Sequence, residues 1–149
     1  MPERYLEDFA VGQTYRSSTM TVDRARMVDF ATQFDPQPFH IDEEAAATSF
    51  FGELVASGWY TAALAMRLLV DSEVKPAGGL IGAGFDELRF VRPVRAGDVL
   101  TLTSEVLEVR PSKSRPQQGM VKARMTTTNQ DGEPVLVYVV NMVVQRRPA

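Results

Sequence analysis

Gly58-Trp59-Tyr60-Thr61-Ala62-Ala63-Leu64-Ala65-Met66-Arg67-Leu68-Leu69-Val70 is the stretch that decides the fold class. Arg67 is its only charge, and apolar side chains point in nearly every direction around a helix of this length. A helix that is apolar all round belongs in an interior, because it has no polar face to leave in water. After Pro76-Ala77-Gly78-Gly79 the pattern changes from helical to β-rich. The spacing predicts strands over Phe85–Phe90, Val99–Val109, Met120–Thr128 and Val135–Gln145, separated by turn chemistry at Pro93–Asp98 and Asn129-Gln130-Asp131-Gly132. Lys122, Arg124, Thr126 and Thr128 alternate with Val121, Ala123 and Met125, which gives that strand one wet face. Val135–Val144 is apolar on both faces, so it belongs inside the sheet or under a partner. The class is α+β: an antiparallel sheet packed on one buried helix at about residues 58–70.

Upstream of that helix the chain opens with a strand at Thr14–Met20. Thr21 is placed to cap a helix whose apolar residues, Val22 through Phe34, recur at near-helical spacing. Asp35-Pro36-Gln37-Pro38 ends it, since each proline lacks an N–H and restricts the residue before it. Asp42-Glu43-Glu44 and three alanines then read as the capped, acidic start of a short helix.

A length of 149 residues fits one domain, 1–149, and the proportions (44% hydrophobic, 23% charged) are those of an ordinary globular protein. A net charge of -3 disfavours nucleic acid and anionic membrane surfaces as partners. With no cysteine, disulfides, thiol nucleophiles and thiolate-bound zinc are excluded, and a single histidine, His40, excludes a multi-histidine metal site. The N-terminal residues lack the apolar core of a signal peptide, and the run Val135–Val144 is too short to span a bilayer as a helix. The expectation is a soluble, cytoplasmic protein with no membrane partner.

The densest cluster of chemically capable residues is Phe34-Asp35-Pro36-Gln37-Pro38-Phe39-His40-Ile41-Asp42. Asp35 and His40 stand five positions apart, which would not share a face in a regular helix. In a proline-stiffened loop they can converge, and a carboxylate beside an imidazole suits acid/base work on water. The same residues also fit a turn followed by a packed histidine between Phe39 and Ile41. A second feature follows at Gly52–Gly58, just ahead of the buried helix. Free N–H groups at a glycine-started helix form an anion site able to hold a carbonyl oxygen as charge builds on it, and a plain glycine or serine cap is the alternative.

The order FDPQPFHID, EEAAATSFFG, LVASGW and LRFVRPVRAGD resembles the MaoC-like dehydratases, which include the (R)-specific enoyl-CoA hydratases and share the hotdog fold. The resemblance runs from about Phe9 to Val144. It implies a single hotdog domain whose sheet wraps the 58–70 helix. It further implies that Asp35 and His40 activate a water, which adds across a 2-enoyl-CoA to give an (R)-3-hydroxyacyl-CoA. The N–H of Gly58 would hold the thioester oxygen, with Ser57 beside it. No metal or cofactor is implied, the CoA thioester being the substrate, and the expected assembly is a homodimer or larger homo-oligomer. Two residues depart from the pattern: Ser57 where many hydratases carry histidine, and Met66 where several carry a serine that Thr61 could replace.

Arg110-Pro111-Ser112-Lys113-Ser114-Arg115 is a basic loop between two strands. Arg110, Lys113 and Arg115 fit the phosphates of coenzyme A, and they equally fit a solvated turn. Arg89 and Arg92 form the next basic cluster, with Arg89 expected near the sheet centre as a candidate ion-pair partner. Thioester hydrolysis and non-catalytic acyl-CoA binding are the competing functions for the same fold.

Overall fold

The computed structural model describes residues 2–149, so Met1 of the expected 1–149 domain lies outside the described residues. Gly58–Val70 forms the longest helix, α4 in chain order, with Tyr60, Thr61, Ala65, Leu68 and Leu69 buried. Before it come β1 (Thr14–Thr21), α1 (Arg24–Phe34) and two short helices, α2 (Pro38–Ile41) and α3 (Glu43–Ala47). After it come β2 (Ile81–Phe90), β3 (Val99–Pro111), β4 (Gln118–Thr128) and β5 (Pro134–Gln145). The five strands make one antiparallel sheet in the order β1-β3-β4-β5-β2.

The alternation expected in β4 is present: Val121, Ala123 and Met125 are buried, while Lys122 and Arg124 face outward. Leu100 and Leu102 of β3 and Leu136, Val140 and Met142 of β5 join them against α4. Each such side chain contributes roughly 1.5–3 kcal/mol when fully buried, which is what fixes the helix to the sheet. The β4–β5 turn is tied by Asn129, whose Oδ1 accepts the N–H groups of Asp131 and Glu133 at 3.0 Å. β5 has neighbours on both sides, as its doubly apolar sequence requires.

Four expectations need correction. The N-cap of α1 is Asp23, whose carboxylate accepts the Arg26 N–H at 3.0 Å, rather than Thr21. Val22 is held outside the helix because its N–H donates to Asp98 O and its carbonyl accepts from Gly97. The stretch after Asp35 is not all loop: proline is compatible with a first helical position, and Pro38 opens the single turn α2 that carries His40. The helix α4 is not buried all round, since Trp59, Met66 and Val70 form an exposed stripe. Arg89 lies on β2, an edge strand, so it is exposed rather than central.

That edge strand is unusual in composition. Ile81, Phe85 and Phe90 are large, apolar and about half exposed on β2, which has a neighbour on one side only. No helix of the described residues is long and apolar enough to cross a membrane.

Candidate active site

Asp35 is the residue at which α1 stops. Its N–H still bonds to Ala31 O at 2.8 Å, while its carbonyl accepts from Gln37 and turns the chain into α2. One turn later His40 is buried beneath the segment that leads into α4. That segment is stitched down on both sides: Val55 N–H bonds to Phe39 O at 3.1 Å, and Ala56 N–H to Val94 O at 2.8 Å. Ser57 and Gly58 are thereby carried to Asp35.

His40 Nδ1 lies 2.8 Å from the Val55 carbonyl oxygen. A carbonyl only accepts, so Nδ1 carries a proton; in the neutral form of the ring Nε2 is then the acceptor, and in the protonated form it donates toward Asp35. Nε2 stands 3.4 Å from Asp35 Oδ2. The hydroxyl of Ser57 donates to the same Oδ2 at 2.7 Å. In the neutral form a donor to both Nε2 and the carboxylate fits between them, and a water molecule is the smallest such group.

The N–H groups of Gly58 and Trp59 open α4 and have no protein acceptor among the described residues. They carry the positive end of the helix dipole, and both residues line the same pocket. Gly58 lets the Phe90 ring lie close: a Cβ there would come within 2.9 Å of the ring, which would have to shift. The pocket has a volume of about 440 Å³. Asp35, His40 and Thr61 mark its polar end, and Phe39, Phe51, Trp59 and Phe90 its apolar walls. Tyr60 and Tyr138 are no competing bases, since burial raises both phenols, that of Tyr138 to about 12.

The structure thus brings Asp35, His40, Ser57 and Gly58 together. It does not bring the basic loop to them within one chain. Arg110 and Lys113 line a separate depression beside Gly119 and Met120, and Arg115 lies on the same β3–β4 turn. The pocket adjoins the opposite end of the sheet, at Phe90 and Val135. The run from Thr101 to Arg110 along β3, ten residues and nine steps, spans roughly 30 Å at strand rise. Met66 lies outside the pocket, whereas Thr61 is in it. One site feature escaped the sequence, the Val55 carbonyl, a backbone group with no residue signature; Arg92, of the second basic cluster, lines the pocket 3.6 Å from Glu133.

A long helix held against a five-stranded antiparallel sheet, with an aspartate–histidine pair beside the helix N-terminus, is the architecture of a hotdog domain. The chain belongs to the MaoC-like domain family, whose model matches residues 8–129. A crystal structure of a MaoC-like dehydratase from Rhodospirillum rubrum is 49% identical, covers 98% of this chain and 99% of its own, and superposes with a TM-score of 0.94. The uncharacterized protein YdeM of Bacillus subtilis is 28% identical over 141 residues, 95% of this chain and 99% of that protein. The 3-hydroxybutyryl-CoA dehydratase of Methylorubrum extorquens is 32% identical over 134 residues, 89% of this chain and 78% of that enzyme.

Proposed function

We propose that the protein is a hydro-lyase that interconverts a 2-enoyl-CoA and an (R)-3-hydroxyacyl-CoA. The observation that carries this reading is the convergence of Nε2 of His40, the Asp35 carboxylate and the free Gly58 N–H on one apolar-walled pocket. The acyl chain lies along the aromatic walls, with the thioester oxygen on the Gly58 N–H. A water held between His40 Nε2 and Asp35 gives its proton to the pair, and its oxygen bonds to C3 as the C2–C3 π electrons move toward the thioester. The resulting enolate oxygen is stabilised by the Gly58 N–H and the helix dipole. The pair then returns one proton to C2. One water is consumed, both of its hydrogens are accounted for, and no redox partner is required. Family membership and the dehydratase relative support this chemistry.

The active assembly is a homodimer joined along β2. A two-fold axis pairs the free edges antiparallel and covers Ile81 and Phe85 together with the exposed stripe of α4. The same operation turns the second copy end for end. Its Arg110–Arg115 loop then comes to the end of the sheet that holds this copy's pocket, three strand spacings or about 15 Å across. The basic loop therefore serves the CoA phosphates of the other subunit.

The test is a spectrophotometric assay with crotonyl-CoA and longer trans-2-enoyl-CoAs, following the conjugated thioester absorbance with free thiol measured in parallel. Loss of absorbance without thiol release, abolished in Asp35→Asn, is the expected result. Thiol release overturns the reading in favour of a thioesterase, and silence across the panel overturns it in favour of acyl-CoA binding without catalysis.

A further inference from the structure

A serine at a helix N-cap ordinarily turns its oxygen back onto the N–H groups of the first turn, worth about 1 kcal/mol to the helix. Ser57 occupies that position at α4 and makes no such bond. Its side chain turns the other way and donates to Asp35 Oδ2 at 2.7 Å, with the residue 0% exposed. The helix thus forgoes a cap. The Gly58 and Trp59 N–H groups stay free, and the one hydroxyl proton of Ser57 is committed to a carboxylate.

We propose that Ser57 is the positioning residue for Asp35. It is not a donor to the thioester oxygen, a role that its hydroxyl would need that proton to perform. The proposal deepens the hydro-lyase reading and rests on it for the chemical consequence. Asp35 is the C-cap of α1, beyond the last helical residue, with backbone angles of φ -151° and ψ 65°. Nothing in α1 itself fixes the rotation of its carboxylate. Its protein contacts are Ser57 at 2.7 Å and His40 at 3.4 Å, and no protein donor reaches Oδ1 among the described residues. Ser57 therefore sets which lone pairs of Asp35 face Nε2 and the pocket. Because Ser57 is itself held by the Val55–Ala56 stitching, the carboxylate is referenced to the same segment whose carbonyl orients His40. One stretch, Val55–Gly58, then aims all three groups: the imidazole through the Val55 carbonyl, the carboxylate through the Ser57 hydroxyl, and the substrate oxygen through the Gly58 N–H. Preorganisation of this kind contributes to rate without adding a contact to the substrate.

The test uses the full chain and two readouts. His40 is the only histidine, so the ¹⁵N resonances of its ring can be followed without overlap. At one fixed pH, Ser57→Ala is expected to move the Nε2 resonance more than that of Nδ1, as Asp35→Asn also does. Adding Ser57→Ala to Asp35→Asn should produce no further movement. In the enoyl-CoA assay, Ser57→Ala should lower kcat between about tenfold and about a hundredfold, the size of a hydrogen bond to a charged group, with KM little changed. In the Asp35→Asn background the same substitution should cost no more than about twofold. An unmoved Nε2 resonance in Ser57→Ala overturns the proposal, and so do losses that multiply in the double variant, the mark of independent contact with substrate. If wild type turns over no enoyl-CoA, the function fails, while the His40 resonances still decide whether Ser57 orients Asp35.

Discussion

The Val55 carbonyl and His40 Nδ1, 2.8 Å apart, decide which nitrogen of the only histidine is available for chemistry. With Nδ1 donating to the backbone, the second nitrogen is turned to Asp35 and the pocket. In its neutral form the ring then presents Nε2 as an acceptor, which is what the proposed activation of water requires. The backbone oxygen does the orienting that a second carboxylate does in a triad, and no substitution at position 55 removes it.

His40→Gln and Asp35→Asn are therefore each expected to lower kcat by at least about 100-fold, the usual contribution of a positioned acid/base group. Both replacements are close in volume and retain hydrogen-bonding capacity, so thermal unfolding should stay near wild type. Near-normal turnover of either purified variant would remove that residue from the mechanism.

Gly58→Ala separates packing from catalysis. The added methyl meets the Phe90 ring at 2.9 Å, yet that ring is half exposed and can swing outward. Gly58 has no left-handed φ, so alanine fits its backbone and restricts the unfolded chain more, worth roughly 0.4–1 kcal/mol. Melting temperature should hold or rise slightly. The oxyanion position at the pocket mouth is displaced, and kcat/KM should fall on the order of 100-fold, the effect of a misplacement near 1 Å. A fully active variant would show that the substrate oxygen does not lie against this amide.

Much of this arrangement was legible in residue order. Position 58 to 70 reads as a helix from its apolar run, and the β4 alternation reads directly from Lys122, Arg124 and their neighbours. Asp35 and His40 could be singled out because aspartate, two prolines and the only histidine crowd one turn. What could not be read depends on partners distant in sequence. Val22 looks helical until Gly97 and Asp98 claim both its backbone groups. Arg89 looks central until the sheet order puts β2 at the edge. Ser57 looks like a cap because serine usually is one, and only the arrival of Asp35 from 22 positions away draws its hydroxyl elsewhere. The basic loop of Arg110, Lys113 and Arg115 reads as a phosphate candidate from its charge, but a linear sequence does not say that it lies at the far end of the sheet from the pocket of its own chain.

Acid stability should depend on the N-terminal carboxylates. The Glu7 carboxyl is held below its ordinary range, mainly by the backbone N–H of Arg147 at 2.6 Å. Asp8 is held down mainly by the Tyr5 N–H at 2.8 Å, helped by the Arg147 guanidinium. A carboxylate whose value is depressed on folding stabilises above its unfolded value, and that stability is lost as pH falls through the folded value. The double variant Glu7→Gln, Asp8→Asn should therefore melt slightly below wild type at neutral pH. The difference should close in the acid range as the wild-type carboxylates protonate. A gap that is constant down to the lowest pH tested would assign it to packing rather than charge.

The pairing of two copies along β2 can be tested through the loop that it relocates. Phe85→Lys places a charge in the centre of the proposed seam, and sedimentation should show monomers with little enoyl-CoA turnover. The sharper measurement uses a mixed dimer, one copy carrying Asp35→Asn and the other carrying Lys113→Ala with Arg115→Ala. In this dimer the only competent acid/base pair belongs to the loop-deficient copy. If each pocket uses the loop of its neighbour, that pair meets an intact loop, and KM for the CoA ester returns to the wild-type value. The loop-deficient homodimer should show KM raised by about tenfold or more, as expected for losing charge-assisted contacts to phosphate, and should be unaffected with short pantetheine esters. If the mixed dimer keeps the raised KM, the loop acts within its own chain. The roughly 30 Å along β3 would then have to be spanned by the substrate itself.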